Sequence, residues 1–329
     1  LNTAFTRHAG VALPLICGPM YPCSNPELVA AVSAAGGLGV VQPVSLTFVH
    51  GYDFREGLKY IQSLTDQPIA MNALIEKSSA RYHAQMQAWL DIALEEGLRF
   101  FITSLGNPRW VVDAVAPHGG VVYHDATERK WANKALDNGV QGLIAVNHRA
   151  GGHAGHLSAQ QLMDELGDFG VPLICAGGIG DEHQFSEALA LGFAGCQLGT
   201  RFIASNECNA AEPYKQAIVD AQEQDIVLSE RITGVPVALI NTPYVVGMGL
   251  KAGRFARWLL NGNKTKHWMR MFYTLRAAFA LRKSSLDASG KHDFWQAGKS
   301  VGAIHSIEPV TKIIQRFQAA MITMQQGGK

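Results

Sequence analysis

Eight short apolar runs, each ending in a glycine or polar turn and followed by a stretch of helical spacing, set the main limit on what this chain can fold into. They are residues 14–18 (PLICG), 38–42 (LGVVQ), 68–74 (PIAMNAL), 99–104 (RFFITS), 120–125 (GVVYHD), 142–147 (GLIAVN), 172–177 (PLICAG) and 195–199 (GCQLG). Helix candidates lie near 25–35, 53–64, 81–96, 108–116, 127–138, 158–168 and 182–191, with another at 212–224 after the last run. Continuous apolar strands separated by helices indicate a parallel sheet covered on both faces. Eight such units match the count of a (β/α)8 TIM barrel. A doubly wound open sheet uses the same units, but its nucleotide turn follows the first strand as G-x-G-x-x-G, and here that turn reads GPMYPCSNP. The expected class is therefore α/β, a (β/α)8 TIM barrel, with the open sheet second.

The 329 residues leave room for more than the barrel. The rhythm breaks at residue 225, and the reading is a barrel over 1–224, a helical subdomain over 225–290, and a segment over 291–329 that packs back on the barrel. Within the middle part, residues 251–283 carry Lys251, Arg254, Arg257, Lys264, Lys266, Arg270, Arg276, Arg282 and Lys283 with no Asp or Glu. Trp258, Trp268, Met269, Met271, Phe272 and Tyr273 are interleaved among them. Such a segment suits an acidic ligand, a membrane surface or nucleic acid. The plainer reading, a helical excursion with its apolar face on the barrel and its cations solvated, is preferred.

A net charge of +1 gives no global attraction to polyanions, so nucleic acid is not an expected partner. Cysteines at 17, 23, 175, 196 and 208 form no C-x-x-C pair and an odd set, which suits neither a disulfide framework nor a thiolate metal site. The opening LNTAFTRHAGVALPLICGPM has no charged head before an apolar core, and no run of 18 apolar residues follows. A cytoplasmic protein without a membrane segment is expected.

Two glycine turns are the strongest chemical signal: Ala176-Gly177-Gly178-Ile179-Gly180 after the seventh run and Leu198-Gly199-Thr200 after the eighth. In such barrels a phosphate often sits between these two loops, held by main-chain N–H groups and a helix N-terminus. Glycine lets the backbone approach the phosphate and adopt positive φ, and Thr200 adds a hydroxyl. Either turn alone would be ordinary strand-end chemistry; the pair at these two positions points to an anion. After the sixth run comes His148-Arg149-Ala150-Gly151-Gly152-His153-Ala154-Gly155-His156. Glycines on one side and an alanine on the other leave the imidazole of His153 uncrowded for acid–base work. His148 and His156 are rivals for that role, and a solvated loop histidine is the plain alternative. No carboxylate lies within the motif, so no metal is expected there. Gly18-Pro19-Met20 closes the first run, where a backbone could lie along a flat ring, and Asn72 could bond the ring's polar edge. His124 and Asp125 could also face a ligand, and Trp295-Gln296-Ala297-Gly298 could fold over the site or serve as core.

These motifs resemble the nitronate monooxygenase family, formerly called 2-nitropropane dioxygenases. The resemblance is carried by AGGHAG at 150–155, PLICAGGIG at 172–180 and ALALGFAGCQLGTRFIASNE at 188–207. PLICGPM at 14–20, NPELVAAVSAAGGLGVV at 25–41 and FWQAGKSVGAI at 294–304 extend it. It is weakest across 225–290. It implies FMN at the C-terminal face of the barrel, with Gly177, Gly178, Gly199 and Thr200 around the phosphate. Gly18, Pro19, Met20 and Asn72 would be at the ring, and Gly151, Ala176, Gln197 and Leu198 also in the cofactor shell. It implies His153 as the catalytic histidine, and a nitronate or nitroalkane and dioxygen as reactants. The chain departs from the family pattern at Val146, where a flavin-bonding side chain is common, and at Asp125, which stands in place of a lysine. Either the flavin is tuned differently or Arg149 supplies the positive charge. An NAD(P)H-dependent FMN reductase of quinones or enoyl thioesters is the second reading, a flavin-less scaffold the third, and a homodimer is left open.

Overall fold

The computed structural model describes residues 2–76, 79–231, 235–251, 278–287 and 293–327. Eight parallel strands close on themselves in sequence order: β1 (Leu15–Cys17), β2 (Leu38–Val41), β3 (Ile69–Leu74), β4 (Phe100–Ser104), β5 (Val121–Ala126), β6 (Gly142–Val146), β7 (Leu173–Ala176) and β8 (Gly195–Leu198). Closure comes from β1 against β8, with Leu15 opposite Cys196, Ile16 opposite Gln197 and Cys17 opposite Leu198. The eight anticipated runs are thus the eight barrel strands, and the open sheet is excluded.

Helix α1 (Ala4–Ala9), which the strand–helix rhythm did not include, precedes β1. The helices between strands are α2 (Pro26–Ala34), α3 (Phe54–Leu64), α4 (Ala80–Glu95), α5 (Arg109–Val115), α6 (Arg129–Leu136), α7 (Ala159–Leu166) and α8 (Glu182–Ala190). Their starts follow local chemistry. Asp53 accepts from the amides of Arg55 and Glu56 ahead of α3, and Asp181 accepts from Gln184 ahead of α8. Ser158 and Gln161 form a reciprocal cap on α7.

Strand alternation divides the apolar residues into two cores. Ile16, Val40, Ala70, Phe100, Ile102, Tyr123, Ile144, Ile174 and Ala176 fill the barrel, and Phe5 and Ala9 of α1 pack with them. The Phe5 ring meets Phe100 edge-on at 5.7 Å, and His8 Nδ1 lies 3.0 Å from the Tyr123 hydroxyl, so α1 plugs the N-terminal end. A Cβ on Gly142 would stand 2.3 Å from the Tyr123 ring, so glycine at the start of β6 is what admits that ring to the interior. The outward residues, among them Val41, Met71, Phe101, Val122, Leu143 and Cys196, join the helices in the larger core.

Beyond β8 a four-residue helix, α9 (Thr200–Ile203), leads to α10 (Glu212–Asp220). The segment expected to be helical then opens with an antiparallel ribbon, β9 (Ile226–Ser229) and β10 (Val237–Ile240), followed by α11 (Pro243–Met248). The ribbon was missed because each strand is only four residues long and lies outside the strand–helix rhythm of the barrel. Most of the basic segment 251–283 lies outside the described residues. The chain ends in a helix, Val310–Gly327, that packs on α8 through Phe317 and Phe185. At its entry Glu308 is buried and binds Arg316 and Lys312, with Arg201 Nη1 at 3.9 Å. These cations hold the Glu308 pKa down to about 2, against the opposing effect of burial. Among the described residues no helix is long and apolar enough to cross a membrane.

Helix α2 lies almost in contact with β2: a Cβ on Gly39 would fall 2.1 Å from the Val29 carbonyl oxygen. Gly39→Ala must therefore push α2 outward and should lower stability by about 1–3 kcal/mol or more, read as a lower urea midpoint. An unchanged midpoint would mean that the helix is not seated as described.

Candidate active site

The inward-facing residues at the C-terminal ends of the strands form the floor of the candidate site. Gly18 extends β1, and its amide donates to the Leu198 carbonyl at 2.9 Å. A Cβ there would stand 2.9 Å from Gln197 Cγ, so the missing side chain gives Gln197 its room. Met20 reaches across, its sulfur 3.4 Å from where a Cβ on Gly199 would be. Asn72 is buried and donates to the Ile102 carbonyl at 3.3 Å. Pro19 belongs to the same turn, which Ser24 braces by accepting from the Met20 amide at 2.8 Å. Leu198 is buried on the outward side, so only its backbone faces this region.

The turns after β7 and β8 form one wall. Gly177 and Gly178 have φ of 115° and 79°, a region that L side chains rarely adopt. A Cβ on Gly177 would strike Asn147 Oδ1 at 2.5 Å and the Ala150 amide at 2.6 Å; one on Gly178 would strike Arg149 Nε at 2.5 Å. The amides of Gly177, Gly178, Ile179, Gly199 and Thr200 donate to no acceptor among the described residues. Thr200 Oγ1 accepts from the Gly298 amide at 3.0 Å, which leaves the hydroxyl proton free to donate. A cluster of donors with a hydroxyl beside them is the chemistry an anion requires.

The loop after β6 forms the other wall, and its shape is set by backbone contacts. Asn147, 1% exposed, donates to the Gly177 carbonyl at 2.9 Å and accepts from the Arg149 amide at 2.8 Å, fastening this loop to the β7 turn. Arg149 crosses Gly178 and pairs with Glu223. Gly151 lies against the 297–298 backbone, where a Cβ would be 2.9 Å from the Gly298 nitrogen. The Gly152 carbonyl accepts from Ala238 of β10 at 2.8 Å, and Lys299 donates to the Arg149 carbonyl at 2.9 Å. Residues 297–299 thus lie against the loop after β6. Trp295 itself is core, stacked on Tyr214 at 5.7 Å.

Of the three histidines in the loop, His148 approaches the Leu157 carbonyl, which also accepts from its own amide, and His156 is exposed. Solvent reaches the His153 ring, yet the surrounding chain lowers its pKa by desolvation. Among the described residues no three His, Cys, Asp or Glu side chains converge on a metal-sized site.

The structure corrects one expectation and sharpens another. His124 does not face the barrel mouth. It points outward, 6% exposed, with Nδ1 2.8 Å from Thr103 Oγ1, and burial, aided by Lys134, lowers its pKa to about 4. Asp125 is the inward member of that pair. Its Oδ1 is buried without a hydrogen-bond partner among the described residues, as is Gln197 Oε1. Asn147, Glu223 and the Gly298 amide were missed, because each acts on a residue distant in sequence or through its backbone.

With the geometry in place, comparison with known proteins decides the family. A sequence model of the nitronate monooxygenase family matches residues 2–319. The chain belongs to this family. It is therefore an oxidoreductase of a generally flavin-dependent group. A nitronate monooxygenase of Paraburkholderia phytofirmans is 27% identical over 268 residues, covering 68% of this chain and 72% of the relative. Also similar is the (3aS,4S,5R,7aS)-5-hydroxy-7a-methyl-1-oxo-octahydro-1H-indene-4-carboxyl-CoA dehydrogenase of Rhodococcus jostii, 28% identical over 246 residues, 74% of this chain and 67% of the relative. In fold the family member resembles FabK from Thermotoga maritima, with a TM-score of 0.80 at 24% identity and full coverage of both chains.

The outward placement of His124 has a consequence for stability. Its folded-state pKa lies below its ordinary value of 6.5, so the unfolded chain binds the proton more readily and stability falls as pH drops from 6.5 toward 4. His124→Gln should remove on the order of 3 kcal/mol of that acid sensitivity. Urea unfolding at neutral and mildly acid pH reads the difference; identical slopes for both proteins would contradict the assignment.

Proposed function

We propose that this family member is an FMN-dependent nitronate monooxygenase that oxidises alkyl nitronates with dioxygen to a carbonyl compound and nitrite. The observation that carries the reading is the set of unengaged main-chain amides after β7 and β8, with Thr200 beside them. The fit to a flavin phosphate is direct: Gly177 and Gly178 keep the backbone bare, and Arg149 adds a cation at the same edge. Arg149 thereby serves the phosphate end in this reading, leaving Asp125 to face the ring. At that end Gly18, Pro19, Met20, Asn72, Ala176 and Gln197 would line the flavin, and the donorless Gln197 Oε1 suits a ring N–H. Gly151 would hold the β6 loop close to it.

FMN, when bound, would accept electrons from the nitronate and pass them to dioxygen. The chain's own task is to bind, orient and manage protons. The lowered pKa of His153 keeps its imidazole neutral at neutral pH, so it can hydrogen-bond a nitronate or take the α-proton of a nitroalkane at a ring nitrogen.

A second reading is an FMN oxidoreductase of acyl thioesters using a nicotinamide donor. It is favoured by the carboxyl-CoA dehydrogenase among the relatives. Anaerobic mixing separates the two: bleaching by a nitronate but not by NAD(P)H supports the first, and the reverse supports the second.

His153→Asn should retain the flavin spectrum and lose roughly 10²-fold in turnover, the scale of lost acid–base catalysis. Gly178→Val should purify colourless, its side chain driven into the Arg149 stem. Full turnover in the first variant would remove His153 from the mechanism, and full flavin content in the second would remove the β7 turn from the cofactor site.

A further inference from the structure

Asp125 is the acid that the reading above leaves without a role. It is the penultimate residue of β5, on the same face as Tyr123, whose ring fills the barrel, and it pairs in register with Ile144 of β6. Its side chain therefore faces the barrel interior near the mouth, as does that of Gln197, which lies between the outward Cys196 and Leu198 of β8. One carboxyl oxygen is buried and receives no hydrogen bond among the described residues.

Among the described residues no hydrogen bond reaches that oxygen and no ion pair involves Asp125. On β4 the inward neighbour is Ser104, and on β6 the inward side chains are Ile144 and Val146. One layer down, the Tyr123 hydroxyl is engaged with His8 at the opposite end of the barrel. On its own strand His124 faces outward, and the cation that acts on that histidine is Lys134 of α6. On the loop after β6, Arg149 is paired with Glu223, and the titratable side chains beyond it are His148, His153 and His156. On β8, Gln197 Oε1 is likewise a buried acceptor that receives no hydrogen bond among the described residues. A carboxylate here would be a partly desolvated charge whose buried oxygen receives no hydrogen bond among the described residues.

We propose that Asp125 is a neutral carboxylic acid facing the flavin ring, and that it exchanges its proton in step with the redox state of that ring. The proposal rests on the flavin reading and deepens it. Burial alone pushes the Asp125 pKa up to about 7, so both protonation states are accessible near neutrality. Two electrons entering the ring with one proton leave one net negative charge there. A neutral acid accommodates that charge and can donate a hydrogen bond to it, whereas an ionised one repels it. Reduction must then raise the affinity of Asp125 for a proton, since the two effects are linked. Where Asp125 is ionised in the oxidised protein, two electrons bring in two protons, one to the ring and one to the carboxylate. Where it is already protonated, two electrons bring in one. The acid thus performs, below neutrality, part of what a lysine would do at every pH.

The test is the midpoint potential of the FMN-loaded full chain, measured anaerobically against a reference dye over a pH series. In the wild type the fall of potential per pH unit should double above about neutrality, the range set by the Asp125 pKa. Free reduced flavin changes slope in the opposite sense. Asp125→Asn should show one constant slope while binding FMN normally. The same slope in wild type and variant overturns the proposal. Should the variant fail to fold, the wild-type profile decides together with an infrared titration of the protein carrying 13C-labelled aspartate. A protonated-carboxyl band that fades as pH rises through neutrality supports the assignment, and its absence in mild acid overturns it. A chain that takes up no FMN defeats the flavin reading and this proposal with it. The infrared band still shows separately whether Asp125 itself holds a proton.

Discussion

The pairing of β1 with β8 is the contact on which the rest of the site depends. Until Leu15 meets Cys196 and Cys17 meets Leu198, the chain is only a row of β/α units with glycine turns at the strand ends. Closure brings the Gly18 amide onto the Leu198 carbonyl, places Gln197 in the space Gly18 leaves, and lets Met20 lie over Gly199. Parallel pairing then puts every strand's C-terminal end on one face, so a loop after β6, a turn after β7 and a turn after β8 become walls of one depression.

The C-terminal part of the chain completes that depression by backbone contacts. Residues 295–299 thread between the walls, held by Thr200 Oγ1 on one side and the Arg149 carbonyl on the other, while β10 takes the Gly152 carbonyl. Arg201, 1% exposed, lies directly after the β8 turn and binds the carbonyls of Ala204 and Ser306, so the turn is anchored to the segment that leads into the last helix. The histidine loop thus sits on main-chain fasteners, which leaves its glycines bare and the ring of His153 accessible.

Much of the barrel is legible in the sequence because a strand buried on both faces reads as an uninterrupted apolar run, and eight of them recur at helical spacing. The phase of alternation is harder to read. His124 and Asp125 are adjacent and equally polar, and only Tyr123 filling the interior beside Gly142 shows which one faces inward. The unread features share one physical cause. The bond between Thr200 and Gly298, the pair of Arg149 and Glu223, and the β9–β10 ribbon against the histidine loop join residues far apart along the chain. Local pattern carries no trace of such contacts.

The central claim is that main-chain amides at the rim grip the phosphoryl group of a flavin. Phosphorus-31 NMR of the protein reconstituted with FMN tests it most directly. The account predicts a single displaced resonance that stays in the dianionic position as pH is lowered through the ordinary second ionisation of a phosphate monoester. A resonance that titrates like that of free FMN would contradict it.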